Sequence, residues 1–270
     1  MALLLGTGSS LFLALPASAA EAADAPEAQA SEGEIIVTAQ RRAESLNDVG
    51  MAVQAVSGET LENLRVTDVR DLTAVAPSFT VSQSYQGVPT YTLRGIGFNT
   101  INLSATSTVG TYVDEVAYAY PIMNTGPVMD LERVEVLKGP QGTLYGRNTT
   151  AGLINFITAK PTNQFEGSVS ADVGNYKTWN LGGHLSGPLG EGIAARIAVR
   201  SEQSDKGWQV SNSRGDRLGK VDKLGVRGAL SLDPAEGTHF DVSAFWWRNR
   251  SDTVAGQGIG FTPATDPVSG

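Results

Sequence analysis

The sequence predicts a two-part protein, in which an α+β domain is followed by antiparallel transmembrane β-barrel strands that do not close a barrel within this chain. Three observations predict it. Short helical and strand patterns alternate up to residue 160, and after Pro161 apolar and polar residues alternate with a period of two. The later strands have the length that a tilted membrane strand needs. Their connections are short at one end and long at the other, as in outer-membrane barrels.

Composition sets outer bounds on function. The chain has 270 residues, a formal charge of -8 and no cysteine. An acidic balance argues against a nucleic-acid partner, which requires clustered Lys and Arg to neutralise phosphates. The absence of cysteine excludes disulfides and thiolate metal sites, and it agrees with an exported protein. We predict no cofactor and no metal site.

The first 33 residues predict export. Residues 1–20 have the pattern of a signal peptide, with an apolar run over Leu11–Leu15 and small residues before a cleavage point, although no Lys or Arg precedes the run. This run is too short and too interrupted for a transmembrane helix. Residues 21–33 are rich in Ala and Glu and predict a flexible acidic tail.

A β-branched patch, Glu34-Ile35-Ile36-Val37-Thr38-Ala39, follows this polar tail within residues 34–40. An extended apolar segment with free backbone N–H and C=O groups can add as a strand to the sheet edge of a partner. The alternative is that it forms the first buried strand of the next domain. Arg41 and Arg42 would keep such an edge soluble.

Residues 41–160 predict the compact mixed domain. A short strand around Val53 and Val56 precedes a helix over Glu59–Leu64 that Ser57 can cap. A second helix, capped by Thr67 or Asp68, ends before Pro77. Its apolar positions at helical spacing predict a core made of Val66, Val69, Leu72 and Val75.

The stretch from Leu131 to Pro161 joins the two parts. Val134 and Val136 alternate with Arg133, Glu135 and Leu137, which predicts a strand with one packed and one polar face. A glycine-rich loop follows, and a second β-prone run then ends before Pro161.

This stretch carries a family resemblance. The segment DLERVEVLKGPQGTLYGRNTTAGLINFITAKP resembles the end of the plug domain of TonB-dependent outer-membrane receptors. The resemblance implies that residues 41–160 form a plug and that residues 34–40 are a TonB box. Its TonB-binding residues would then be Ile35, Ile36, Val37, Thr38 and Ala39.

The same resemblance implies two further sets of site residues. Tyr91-Thr92-Leu93-Arg94-Gly95-Ile96-Gly97 resembles an arginine-glycine plug motif, whose arginine contacts acidic residues of the barrel wall. Arg94 is therefore a candidate plug–barrel latch, with an exposed loop arginine as the alternative. Leu144 stands where a second arginine is usual, and Arg147 is a shifted candidate for that role. Tyr118, Tyr120 and Met123 lie in a loop that would face the ligand, or they are packing residues.

Residues 161–270 predict about five barrel strands. In the first strand Phe165, Val169 and Val173 fall on one face, and Ser168 and Asp172 fall on the other. A soluble β-sandwich would also alternate, but the asymmetry of the connections favours a barrel. Because family barrels have about 22 strands, we expect this chain to be the N-terminal part of a longer receptor.

No enzymatic motif is present. The sequence lacks a nucleophile elbow, a Walker loop and an H-E-x-x-H motif, so a secreted hydrolase is disfavoured.

The resemblance implies TonB-dependent uptake of a scarce solute. A ferric siderophore is the first candidate for this solute, and cobalamin, sugars or other metal chelates are the alternatives. It also implies TonB as partner, ExbB and ExbD indirectly, and contact with outer-membrane lipid. The protein would lie in the outer membrane with its plug and N-terminal tail facing the periplasm. A non-transporting, adhesin-like surface β-protein is the competing class.

Overall fold

The computed structural model describes residues 35–66, 68–83, 88–98, 106–211 and 215–253. The predicted signal peptide, the acidic tail and Glu34 lie outside these residues. Among the residues that the structure describes, no helix is long and apolar enough to cross a membrane.

The N-terminal domain, meaning the described residues from 35 to 160, is built from short strands and short helices. The strands are β1 (Ile36–Val37), β2 (Glu44–Ser45), β3 (Ala52–Ser57), β4 (Phe79–Gln83), β5 (Pro89–Leu93), β6 (Ile96–Gly97), β7 (Val109–Val113), β8 (Val116–Ala117), β9 (Leu131–Lys138) and β10 (Gly152–Thr158). The helices are α1 (Gly58–Asn63), α2 (Gly142–Tyr145) and two 3-10 helices, Val69–Ala74 and Pro121–Asn124.

A mixed five-stranded sheet organises this domain, in the order β3-β9-β10-β7-β8. Strands β10 and β7 pair in parallel, and the other neighbours pair antiparallel. Because β9 lies inside the sheet and both faces are covered, Val134 and Glu135 are both fully buried. The prediction of one polar face on this strand is wrong, since the face that carries Glu135 is covered by residues far away in the sequence.

The predicted helices form next to this sheet. Ser57 caps α1 by accepting a hydrogen bond from the N–H of Thr60. Asp68 caps the 3-10 helix Val69–Ala74, and the side chain of Asp71 bonds back to the N–H of Asp68 in a capping box. Val66, Val69 and Leu72 are buried in the core as predicted, with Val75 packed against it.

The second part of the chain forms a five-stranded antiparallel sheet, here called the wall sheet. Its strands in spatial order are β11 (Glu166–Gly174), β12 (Thr178–Gly190), β13 (Ile193–Ser204), β16 (Val221–Ala235) and β17 (Thr238–Asn249). A small hairpin, β14 (Gln209–Val210) with β15 (Arg217–Leu218), lies in the connection between β13 and β16. Over the described residues the wall sheet is open and closes no barrel.

The predicted alternation decides the two faces of the wall sheet. Val169, Leu181 and Ile197 point to the outer face and are 84%, 50% and 51% exposed. Arg196 and Glu202, at the alternate positions, are buried against the N-terminal domain. Trp246 is exposed on the outer face, whereas Trp247 on the inner face lies against Gly126 of the N-terminal domain. An extended apolar outer face of this kind is typical of a surface that meets lipid.

Connections in the wall sheet also follow the prediction. Two residues connect β12 to β13 and two connect β16 to β17, and both turns lie at one end of the sheet. At the other end β13 and β16 are joined by the long connection that carries the small hairpin, and the three residues Asn175–Lys177 join β11 to β12.

Candidate functional site

The N-terminal segment, residues 35–39, is docked on the N-terminal domain. Strand β1 pairs antiparallel with β2, so that Ile36 lies opposite Ser45. Val37 and Ala39 are fully buried in a cluster with Leu137 and Leu153. Burying a valine side chain stabilises such a contact by about 1.5–3 kcal/mol. In this conformation the segment therefore forms the first strand of the domain, which was the alternative interpretation, and its binding of TonB stays a prediction.

Glu135 on β9 holds the backbone of this segment. Its carboxylate accepts a hydrogen bond from the N–H of Thr38 at 2.8 Å and another from the Thr38 hydroxyl at 3.2 Å. Arg133 donates through Nε to the same carboxylate at 2.8 Å. Glu135 is 0% exposed, and a buried carboxylate needs such donors because burial without partners is costly.

Tyr145, the last residue of α2, also contacts the N-terminal segment. Its hydroxyl lies 3.2 Å from the carbonyl oxygens of both Thr38 and Ala39 and donates to them. Its ring packs edge-on against Tyr112, with ring centroids 5.1 Å apart, and Arg41 lies over the ring. Burial, followed by the nearby charge of Glu135, raises the pKa of Tyr145 to about 12, so the phenol is protonated and can donate at neutral pH.

The principal contact between the N-terminal domain and the wall sheet is an ion-pair cluster of Asp130, Arg196 and Arg227, here called the interface cluster. Arg196 approaches the carboxylate of Asp130 at 2.7 Å and Arg227 approaches it at 2.5 Å. The three side chains are 1%, 6% and 7% exposed, in that order. Arg227 also donates to the carbonyl of Ala159, where the chain leaves the domain. The cluster ties the domain to two adjacent wall strands.

A second contact lies toward the end of the sheet that has the long connection. Lys223 on β16 approaches Asp68 at 2.6 Å and faces Glu202 on β13 at 3.6 Å. Burial disfavours the charged form of Asp68, but Lys223 and Arg70 outweigh it and hold the pKa of that carboxyl well below its usual range. Asp68, which caps the 3-10 helix Val69–Ala74, therefore also joins the N-terminal domain to the wall sheet.

The predicted latch residues lie elsewhere. Arg94 is exposed in the turn between β5 and β6, with a φ of 53°. Arg147 is exposed in the loop after α2. Within the described part of the chain, neither arginine forms an ion pair with the wall sheet. A latch role for Arg94 and Arg147 stays a prediction, and in the described structure Asp130 and Asp68 supply buried ion pairs between the N-terminal domain and the wall sheet.

The predicted ligand loop borders cavities between the domain and the wall. Tyr118 is half-buried, and Tyr120 and Met123 are 42% and 38% exposed. Tyr118 and Met123 line a cavity of about 320 Å³ that Arg227 and Phe245 of the wall sheet also line. A second cavity, of about 360 Å³ at the long-connection end, is lined by Ile122 and Asn124 of this loop. Its wall side includes Trp208, Lys223 and Trp247. Contact of the loop with a ligand stays a prediction.

Sequence reasoning missed Asp130, Arg196, Arg227, Glu135 and Tyr145 as site residues. For the two arginines a signal was present, because the alternation that put apolar side chains outside also put Arg196 and Arg227 inside. For the other three residues no local signal exists. Asp130 and Arg227 are 97 positions apart, and so are Thr38 and Glu135.

Comparison with known proteins agrees with this architecture. Residues 45–153 match the family model "TonB-dependent Receptor Plug Domain". The chain is 31% identical over 208 residues to the pesticin receptor of Yersinia pestis, covering 73% of this chain and 29% of that protein. It is 29% identical over 176 residues to the probable TonB-dependent siderophore receptor PiuA of Acinetobacter baumannii, covering 64% of this chain and 22% of PiuA.

A solved structure shows the same arrangement. The ferric yersiniabactin uptake receptor FyuA from Yersinia pestis superposes with a TM-score of 0.67 at 26% identity, covering 73% of this chain and 31% of that one. The chain thus spans less than a third of the length of each of these three relatives. The plug match, the shared fold and the relatives agree with one another. The chain belongs to the family of TonB-dependent outer-membrane receptors, with their plug domain over residues 45–153.

Proposed function

We propose that this chain supplies the plug and the first wall strands of a receptor that moves a scarce solute across the outer membrane with energy delivered by TonB. One observation carries the proposal. A plug domain is fixed by the buried interface cluster to the inner face of a sheet whose outer face is apolar. A plug held in this way blocks the lumen of a barrel, and it must be remodelled before a solute can pass.

The N-terminal segment is the proposed contact for TonB, with ExbB and ExbD acting indirectly. The segment is β-branched, short and close to the plug surface, since Ile35 is 43% exposed. A strand of this kind can pair with a partner's sheet edge once its own contacts are released. We assign export to residues 1–20 and place the plug and the N-terminal tail on the periplasmic side, with the wall sheet in lipid.

For the solute we propose a ferric siderophore. FyuA is described as a ferric yersiniabactin uptake receptor and PiuA as a probable siderophore receptor. Cobalamin, sugars and other metal chelates are the alternatives that an uptake assay should include. The family consists of receptors rather than enzymes, and the proposal involves no catalytic step.

Deletion of Ile35–Ala39 from the complete receptor tests this function. Cells that express the deletion should bind the ferric siderophore as the wild type does, and their uptake should fall to that of cells without TonB. A deletion of equal length in the acidic tail, Pro26–Ala30, is the matched control and should leave uptake unchanged. Unchanged uptake after deletion of Ile35–Ala39 would contradict the role of the segment. Binding without uptake in the wild type would favour the adhesin-like alternative.

A further inference from the structure

The docked N-terminal segment has two backbone edges, of which one pairs with a strand and the other is covered at Thr38. On one edge β1 pairs with β2, and the N–H of Leu46 donates to the carbonyl of Ile35. On the other edge two side chains take the place of a neighbouring strand. Glu135 accepts from the N–H of Thr38, and Tyr145 donates to the Thr38 carbonyl, which also accepts from the N–H of Arg41 in the turn that follows the segment. A strand approaching this edge would need those same two groups of Thr38 for its own hydrogen bonds.

We propose that Glu135 and Tyr145 act as a side-chain cap that bars strand addition to residues 35–39 until both contacts break. This inference rests on the proposed function, because it concerns access of TonB to that segment. Its chemistry is independent of the identity of the solute. The cap satisfies one backbone donor and one backbone acceptor, which are the two groups that an exposed edge strand presents to any partner strand.

Glu135 is held in place for this role. Its strand, β9, lies inside the central sheet between β3 and β10. Arg133, two residues earlier on the same strand, donates to the carboxylate and compensates its charge. A carboxylate fixed by an arginine and fully buried cannot turn toward solvent, so it remains aimed at Thr38.

Tyr145 is fixed by different neighbours. The hydroxyl of Tyr112 donates to its backbone carbonyl, and the two rings pack edge-on at 5.1 Å. The Tyr145 hydroxyl reaches two successive carbonyls, those of Thr38 and Ala39. Its raised pKa keeps it a donor well above neutral pH. The cap is therefore built from two preformed positions on the plug.

A buried cysteine can report release of the segment. Residues 1–270 contain no cysteine, so Val37→Cys provides the only thiol in this part of the receptor, and any cysteine elsewhere in the complete receptor would first be replaced by serine. Val37 is 0% exposed, and a maleimide reaches it only when the segment leaves the plug. We would measure the labelling rate in the complete receptor, alone and combined with Tyr145→Phe, which removes the hydroxyl and keeps the ring. Tyr91→Phe is the control, because that tyrosine is also fully buried but belongs to the core cluster of Leu72 and Phe79, whereas Val37 and Ala39 belong to another cluster.

The cap predicts that Tyr145→Phe increases the labelling rate about tenfold, which corresponds to about 1.4 kcal/mol, whereas Tyr91→Phe leaves it unchanged. Binding of the TonB periplasmic domain should tighten by a similar factor in Tyr145→Phe. The thermal unfolding transition, recorded for each variant, verifies that the plug is folded.

Two results would overturn the inference, and they differ in meaning. Equal labelling of the Tyr145→Phe and Tyr91→Phe receptors would show that the hydroxyl does not hold the segment. Faster labelling without tighter binding of TonB would also contradict the inference, and it would locate the error in the assignment of residues 35–39 to TonB, hence in the proposed function.

Discussion

The carboxylate of Asp130 lies 2.7 Å from Nη2 of Arg196, and the two side chains are only 1% and 6% exposed. Asp130 precedes β9 of the plug, whereas Arg196 lies near the start of the wall strand β13. Arg227 on the adjacent strand reaches the other oxygen of the same carboxylate. One plug residue thus connects two wall strands, and the attachment of the plug depends on charge pairing among buried side chains.

Asp130→Asn should weaken this attachment strongly. Arg196 would keep its ion pair with Glu166, but the amide cannot compensate Arg227, and breaking a buried ion pair by removing one partner costs about 3–5 kcal/mol. Urea unfolding of the purified complete receptor, followed by tryptophan fluorescence, measures the change. Glu62→Gln removes an exposed carboxylate of α1 and should change the unfolding free energy by less than about 0.5 kcal/mol. Equal stability of the two variants would mean that the interface cluster does not hold the plug.

Asp68 should make the stability of the plug depend on pH in the acid range. Its pKa is lowered in the folded protein, so its contribution to stability is complete above the unfolded pKa of about 3.9 and is lost as pH falls below that value. By pH 3 the wild type should have lost about 1 kcal/mol through this group alone. Asp68→Asn should be less stable at pH 7 and should lack this part of the acid response. Parallel stability curves of the two proteins from pH 5 to pH 3 would contradict the prediction.

Gly152 should not tolerate a side chain. Its φ is +137°, and a Cβ atom there would lie 2.2 Å from the carbonyl oxygen of Leu137. Gly152→Ala should therefore destabilise the plug by about 2–4 kcal/mol through backbone strain and overpacking. Gly228→Ala is the matched control, because an added Cβ at that wall position meets nothing within 4 Å. Thermal unfolding of both variants tests the difference, and a Gly152→Ala receptor as stable as Gly228→Ala would refute it.

A charged residue on the outer face of the wall sheet should disfavour assembly in the membrane. Val169 on this face is 84% exposed, and its neighbour Ser170 points to the inner face. An arginine on the lipid face near the middle of the bilayer costs about 2–4 kcal/mol. Val169→Arg should therefore reduce the amount of receptor assembled in the outer membrane, whereas Ser170→Arg should not. Immunoblots of outer-membrane fractions measure the amounts, and equal assembly would place Val169 outside the lipid.

Local patterns were sufficient to predict most of the framework. The alternation around Val169 gave the faces of the wall strands, and Ser57 marked the start of α1. The strand around Val134 was also predicted, although its second face was not. Glu135 is buried because residues 35–39 cover it, and strand periodicity cannot reveal a cover that lies 97 positions away.

The same reasoning applies to the contacts between the plug and the wall sheet. The motif around Arg94 predicts a tight turn, and the structure has one between β5 and β6. That turn directs Arg94 to the surface, and no local signal states which way a turn will face. The role of Asp130 cannot be read from its own sequence neighbourhood. It depends on the register between β13 and β16, which brings Arg196 and Arg227 to neighbouring positions on the inner face, where both reach Asp130.

Cysteine crosslinking between residues 35–39 and TonB tests the central claim most directly. The Ile36→Cys and Thr38→Cys variants of the complete receptor would be expressed with TonB that carries single cysteines, and disulfide-linked products would be measured in the presence of the ferric siderophore. We predict products at positions 36 and 38 and none with Asp48→Cys, an exposed position outside the segment. Absence of product at both positions, or equal product at position 48, would contradict the assignment of this segment as the TonB contact.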